Sequence, residues 1–517
     1  MENNNTNIIT THKPFIFRNK IDNQIIVIFG ANGDLAKRKL IPAIFQLFLN
    51  NLLPERFVLL GAGSNEKDDI DYRKYVLEIL TEFGDMSSEF NRQKVQEFLE
   101  YIYYQKINNQ NTPDFELLKY RIDDLAAKLE IPHNYIFYYS IPPFLYDVVS
   151  ANLAAYDLTK EEHGWKRVIV EKPFGYSYDT AVELDRKLHL AYNENQIYRI
   201  DHYLGKETVQ NINVTRFANG FFEPLWNNKY VDRVEIISVE EIGVGSRGGY
   251  YDTVGAIRDM IQNHLLQILA VVAMEPPVTF DSESIHAEKT KVFQALRPMK
   301  EEEVKDFVVR GQYTEAEVDG VVKKGYLQED GVASDSKTET YCALKLFIDN
   351  WRWSGVPFFI STGKQMPDRF TEVILHLKQA PLRLFKQQCV NHSTSMIVLR
   401  IQPNEGVSIE FGMKKPGLGY KVQNVQMDFK YSDLADTKIP EAYERLLLDC
   451  MVGDSTLFPR ADALKLSWKF VDSILNAWKN LNDIPLYNYK CGTWGPIEAN
   501  TLFGEKLIKW RPTLKKY

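Results

Sequence analysis

Ile25-Ile26-Val27-Ile28-Phe29-Gly30-Ala31-Asn32-Gly33-Asp34-Leu35-Ala36 decides the fold. Its first five residues are apolar and mostly β-branched, with no polar alternation. Such a run fits a central parallel strand covered on both faces. The glycines follow at once, and then a helical pattern with Leu40, Ile41, Ile44 and Leu47 on one side. Strand, glycine turn and helix is the context that a dinucleotide fingerprint requires. Gly30 permits the tight turn, Gly33 lets the backbone approach a pyrophosphate, and Ala36 packs the helix on the sheet. The anion then sits on free N–H groups at the helix start, in the stretch holding Ala31, Asn32, Asp34, Leu35 and Lys37. The spacing is G-x-x-G-x-x-A, so alone it also suits any tight βα turn.

Working outward, Phe57-Val58-Leu59-Leu60 reads as a second strand, whose end should reach an adenosine ribose. The residues there are Gly61-Ala62-Gly63-Ser64-Asn65-Glu66-Lys67. Residues 70–130 are charged and helically periodic. Tyr135-Ile136-Phe137-Tyr138-Tyr139-Ser140 is a further strand, stopped by Pro142 and Pro143. Arg167-Val168-Ile169-Val170 is the next, and Glu171-Lys172-Pro173-Phe174-Gly175 leaves it. A lysine is usually a solvated surface residue. At a strand end, before a proline turn, Lys172 is better placed to meet a ligand.

Length and composition set the frame. For 517 residues a length prior suggests about three domains, but the motif order argues for two. Residues 23–200 form a Rossmann-like dinucleotide-binding domain, and 201–517 a larger α+β domain for substrate binding, catalysis and oligomerisation. The fold class is α/β, with a mostly antiparallel sheet in the second domain. Residues 1–22 read as a disordered, Asn- and Thr-rich tail. Hydrophobic content of 44% and charged content of 25% are those of a globular protein. A net charge of −7 without a basic block argues against nucleic acid as a partner. No apolar run approaches the roughly 20 residues of a membrane span. Cys342, Cys389, Cys450 and Cys491 have no CxxC spacing, so neither a zinc site nor a disulfide framework is indicated. The N-terminus has no signal-peptide pattern, and a cytoplasmic location is expected.

Two stretches carry the chemistry. Arg199-Ile200-Asp201-His202-Tyr203-Leu204-Gly205-Lys206-Glu207 packs two acids, two aromatics and two cations into one run. Arg258-Asp259-Met260-Ile261-Gln262-Asn263-His264 ends on an imidazole beside the apolar Leu265-Leu266-Gln267-Ile268-Leu269. A histidine with a nearby aspartate can take a proton at neutral pH, because the carboxylate fixes the tautomer and steadies the imidazolium. Either histidine alone would more often be a core residue bound to a carbonyl. His202, Tyr203 and Lys206 also offer an imidazole, a phenol and an ammonium to an anion. Further on, Val234–Glu240 alternates toward its end as a half-buried strand, and 311–338 reads as a loop region.

Arg199 to Glu207 resembles the signature of the glucose-6-phosphate dehydrogenase family. Gly30 to Ala36, Glu171 to Gly175, Asn219 to Asn227 and Gln402-Pro403-Asn404-Glu405 look like the same family in the same order, from about residue 25 to about residue 500. The resemblance implies oxidation of glucose 6-phosphate to 6-phosphogluconolactone, the first step of the oxidative pentose phosphate pathway, with His264 as general base and Asp201 orienting it. It gives His202, Tyr203 and Lys206 to the phosphate, and Glu240 and Asp259 to sugar hydroxyls. Lys172, Lys364, Arg369 and Gln402 become further substrate contacts. Tyr138 and Lys172 join the glycine turn around the cofactor. That cofactor is NADP by family default. The family usually has Arg where Gly63 stands and Ser or Thr where Asn32 stands, so NAD stays open. Lys37, Arg38 or Lys67 would then carry the 2′-phosphate, and Glu66 a ribose hydroxyl. No metal is implied.

A homodimer or homotetramer is expected. Animal members carry a second, structural NADP site. At its positions stand Val239, Phe370, Ile374, Glu410 and Trp494, with only Arg400 charged, so a bacterial-type member without that site is expected. Two other functions fit the residues less well: an NAD-preferring dehydrogenase of another hexose phosphate, and a non-catalytic homologue acting as a binding protein.

Overall fold

The structure, a computed structural model, describes residues 21–382, 384, 395–434, 440–504 and 510. The expected tail lies, up to residue 20, outside the described residues, as does Cys389.

The first sheet contains β1 (Gln24–Phe29), β2 (Phe57–Gly63), β3 (Ile102–Lys106), β4 (Tyr135–Tyr139), β5 (Lys166–Val170) and β6 (Ile197–Arg199). All pairs are parallel, in the order β3-β2-β1-β4-β5-β6. Every residue of β1 is buried, which explains its unbroken apolar run. One of its faces packs on Ile41, Ile44 and Phe45 of the first crossover helix. The other packs on Phe115, Leu118 and Ile122 of helix Thr112–Lys128. The strand order reverses between β1 and β4, so their carboxyl ends open the crevice where such sheets hold ligands.

The remaining strands, in chain order, are β7 (Val231–Val239), β8 (Val308–Thr314), β9 (Ala316–Val318), β10 (Val321–Lys323), β11 (Tyr341–Phe347), β12 (Pro357–Gly363), β13 (Phe370–Leu377), β14 (Met396–Gln402), β15 (Gly406–Lys414), β16 (Val422–Lys430) and β17 (Leu486–Lys490). Nine of them form one sheet in the order β16-β15-β14-β13-β7-β12-β11-β8-β17, while β9 and β10 make a separate hairpin. Of its eight neighbouring pairs, only β7–β12 and β8–β17 are parallel. The mostly antiparallel sheet is therefore as expected.

Two local readings change. β7 is buried over most of its length, not half-buried. Helix Leu266–Ala273, all of whose residues are buried, shares the core on one side, and Tyr251, Tyr313 and Phe503 share the core on the other. Residues 311–338 are not all loop, because β8 runs to Thr314 and the β9–β10 hairpin follows. Among the described residues, no helix is long and apolar enough to cross a membrane.

Candidate active site

The glycine turn is tight for a steric reason. Gly30 has φ +78°, and a Cβ there would lie 2.1 Å from the Ser140 carbonyl oxygen at the end of β4. Gly33 N–H donates to the Gly30 carbonyl at 2.9 Å, and Lys37 N–H to the Gly33 carbonyl at 3.0 Å. The N–H groups of Asp34, Leu35 and Ala36 come before the first intrahelical acceptor is available, so the helix start faces the crevice as an anion cradle. These backbone features fit a dinucleotide pyrophosphate.

The adenosine end differs from the expectation. A Cβ at Gly63 would come within 2.7 Å of the Asn32 amide nitrogen and 3.0 Å of the Tyr104 hydroxyl. Asn32 donates to that hydroxyl at 3.1 Å, so the two departures from the family pattern fill each other's space. Lys37 turns to Glu82 at 2.9 Å, Arg38 to Asp34 at 2.6 Å, and Glu66 to Lys106 at 2.5 Å. Each of these side chains therefore already has a charged partner. Lys67 is different: its ammonium lies 4.6 Å from the centre of the Tyr75 ring, and Tyr75 donates to the Asn32 carbonyl at 3.3 Å.

The second stretch assembles beyond the end of β6. Asp201 Oδ1 accepts from Tyr203 N–H at 2.9 Å and lies 2.6 Å from His264 Nδ1. His264 sits in a π-helical segment, Ile257–Leu265, and is 1% exposed. Its Nε2 lies 2.7 Å from Lys172 Nζ. These contacts fix the tautomer. A carboxylate only accepts and an ammonium only donates, so Nδ1 carries the proton and Nε2 is a free base aimed at Lys172. Burial first, and then the charge of Lys172, push the His264 pKa well below the ordinary range. Asp201 is raised by burial, against the pull of His202. Lys172 also approaches Asp259 at 3.5 Å. Burial alone would raise Asp259, but Lys172, Lys364 and His264 outweigh it and hold it low. Glu240 and Lys364 are hydrogen-bonded to each other nearby.

His202, Lys206 and Arg369 line one open cavity of about 600 Å³ with Lys39, Tyr431 and Tyr443. Burial draws Lys206 down to about 8, with Glu405 opposing, and its ammonium is held by Gln402 Oε1. A phosphate dianion would supply the missing counter-charge. Tyr203 lies next to these groups, its ring 5.0 Å from that of His202. It is 6% exposed, its ring stacks on His264 at 4.4 Å, and its hydroxyl turns to Ser238 at 3.4 Å. Its ring centre also lies 4.6 Å from the Lys206 ammonium. Tyr138 is fully buried and donates to the Glu171 carboxylate at 2.5 Å. Lys39 escaped the sequence reading, because a third basic residue in a row on a helix looks solvated, and Glu171 entered it only as part of the Glu171–Gly175 motif.

Asp201, His202 and His264 bring three possible metal-ligand atoms within 4.8 Å of one another. Asp201 Oδ1 and His264 Nδ1 are bonded to each other, however, and His264 Nε2 faces the Lys172 ammonium, so a cation there would meet like charge. At the positions of the animal structural site, Val239, Phe370 and Ile374 are buried in apolar packing, Trp494 lies 6.0 Å from the Phe370 ring, and Arg400 pairs with Asp428 at 2.6 Å.

A Rossmann sheet with an anion cradle, joined to a buried Asp–His pair, defines a nicotinamide-dependent oxidoreductase. Residues 27–211 match the model of the glucose-6-phosphate dehydrogenase NAD binding domain, and residues 213–511 match that of its C-terminal domain. The chain belongs to the glucose-6-phosphate dehydrogenase family. It is 49% identical to a glucose-6-phosphate 1-dehydrogenase of Aggregatibacter actinomycetemcomitans, over 95% of this chain and 98% of the relative. A glucose-6-phosphate 1-dehydrogenase of Treponema pallidum is 46% identical over 94% of each chain. A solved glucose-6-phosphate dehydrogenase in complex with glucose 6-phosphate superposes with TM-score 0.87 at 34% identity, covering 96% of this chain and 100% of the other. The enzyme from Mycobacterium avium gives TM-score 0.81 at 32% identity, with 96% and 100% covered.

Proposed function

We propose that this protein oxidises D-glucose 6-phosphate to 6-phospho-D-glucono-1,5-lactone, with His264 as the general base. The observation that carries the reading is the 2.6 Å bond between Asp201 Oδ1 and His264 Nδ1, which leaves Nε2 as the proton-accepting nitrogen of the ring. The anomeric hydroxyl takes the donor place at Nε2 that Lys172 now fills, and its proton passes to that nitrogen. Asp201 steadies the imidazolium that forms. A bound nicotinamide supplies the acceptor for the hydride leaving the anomeric carbon. His202, Tyr203, Lys206 and Arg369 hold the phosphate at the far end of the sugar, and that remote binding positions the reacting carbon. Glu240 and Asp259, as carboxylates, accept from the ring hydroxyls.

The cofactor reading is NADP, with NAD also accepted. Gly30, Gly33 and the helix start would hold the pyrophosphate. Lys67 supports a 2′-phosphate contact, since among the described residues it has no carboxylate partner and lies against Tyr75 at the mouth of the turn. The apolar positions that replace the animal site favour a single dinucleotide per chain. Exposed Met413, Leu418, Tyr420, Met427 and Phe429 on β15, β16 and their connection favour self-association as a dimer or tetramer.

Initial rates of nicotinamide reduction with NADP and NAD, across several hexose phosphates, test the reading. It expects glucose 6-phosphate to be the best substrate. A better rate with another hexose phosphate, or no reduction with any, contradicts it.

A further inference from the structure

Helix Ser282–Gln294 buries Ile285, Val292 and Phe293 in the core that also holds Tyr203, Ile261, Leu265 and Leu266. Positions 285, 289, 292 and 293 fall on one helical face, so 289 lies in the middle of the buried stripe. An aliphatic residue belongs there, but the chain has Lys289, which is 2% exposed. An enclosed ammonium costs several kcal/mol unless an anion answers it. The acid that answers it is Asp201, at longer range than a direct ion pair.

Asp201 has the matching need. Both hydrogen bonds to its carboxylate, from Tyr203 and His264, go to Oδ1. Oδ2 is buried without a hydrogen-bond partner. We propose that the Lys289 ammonium is the fixed counter-charge of the Asp201 carboxylate and acts through Asp201 on the base His264, as a positioning residue. The proposal rests on the reading of Asp201 and His264 given above.

The other groups around Asp201 are His202 and Tyr203 on its own turn, Lys206 just beyond, Lys172 after β5, His264 on the π-helical segment and Tyr443 on helix Ala442–Val452. Lys172 and Lys206 are committed to substrate, so their charge toward Asp201 changes as ligands come and go. Lys289 is buried and has no part in the substrate reading above, so its charge toward Asp201 stays fixed. Its own surroundings add His286, one helical turn away. Burial draws Lys289 down to about 8, which leaves it charged at neutral pH.

Lys289→Met keeps the length of the side chain and removes its charge. Replacing a buried charge by an apolar group of similar size is often neutral or stabilising, so Tm should hold or rise. The account expects the acid limb of kcat to move up by about one pH unit as the Asp201 carboxyl loses its cation, and kcat at pH 7 to fall by up to about threefold. The KM for glucose 6-phosphate should stay close to wild type. In an Asp201→Asn background, Lys289→Met should cost nothing further. A folded Lys289→Met enzyme with wild-type kcat and pH profile overturns the proposal, as does an additive loss in the Asp201→Asn background. A Lys289→Met protein that does not fold also overturns it, since the charge would then serve the fold. Full turnover by His264→Ala in the same assay would instead remove the reading beneath it.

Discussion

Replacing Asp201 by asparagine probes the Asp–His pair with little change of shape. An asparagine can place its oxygen where Oδ1 lies, still accepting from Tyr203 N–H and His264 Nδ1–H. Its amide nitrogen then takes the position of Oδ2, which has no partner. The tautomer survives and the charge alone is lost. In serine proteases the corresponding change flips the tautomer and lowers kcat by about 10⁴. Here the loss follows from the charge. With the oxygen 2.6 Å from Nδ1, the centres of carboxylate and imidazolium are about 4 Å apart. At an effective dielectric near 20 their attraction is about 4 kcal/mol. That corresponds to a kcat lower by about 10³-fold, and burial of both groups keeps water from making up the difference. Steady-state rates with saturating cofactor should show this drop, with the KM for glucose 6-phosphate changed only a few-fold. A kcat loss under about tenfold, or a loss confined to KM, would refute the electrostatic role of Asp201.

The phosphate group should respond differently. His202→Ala and Lys206→Ala should chiefly raise KM, by about 10- to 100-fold, as expected for the loss of a charge-assisted contact; a selective fall in kcat would contradict their place at the far end of the sugar. The pH profile has a definite sign. Because His264 lies well below its ordinary pKa, it stays deprotonated and competent at pH 6, so the acid limb of kcat/KM should lie below about 6.5. For the same reason the unfolded state binds more protons than the native one in acid. Stability should therefore fall as pH drops through about 6.5, which thermal melts at stepped pH would record. Gly30→Ala forces a Cβ to 2.1 Å from the Ser140 carbonyl at φ +78°, and should abolish cofactor binding while lowering Tm; a variant that binds the dinucleotide normally would show the turn to be unimportant.

Much of this was legible in the chain. The unbroken apolar run of β1 and the glycines after it specify a covered parallel strand and an anion turn, because both depend on local sterics. Asp201 and His264 were recognisable through the resemblance carried by residues 199–207. The spacing of 63 residues between them says nothing about contact. Tyr203 is legible as a neighbour of His202 and Lys206, and its ring lies beside both. Only the sheet reveals that its hydroxyl also lies 3.4 Å from that of Ser238. The burial of β7 was hidden for a related reason, since whether one or both faces of a strand are covered depends on elements far away in sequence. Lys289 is the opposite case. Its place on an apolar helical stripe is visible at positions 285, 289, 292 and 293, but the acid it answers lies on another element.

The most direct test is a parallel measurement, on His264→Ala and wild type, of turnover and of equilibrium binding of glucose 6-phosphate. The account predicts a kcat lower by about 10²- to 10⁴-fold, with binding of the sugar phosphate close to wild type, because the ring takes the proton and the anchor lies at residues 202–206. Turnover near wild type, or a loss of binding that accounts for the whole defect, would contradict it.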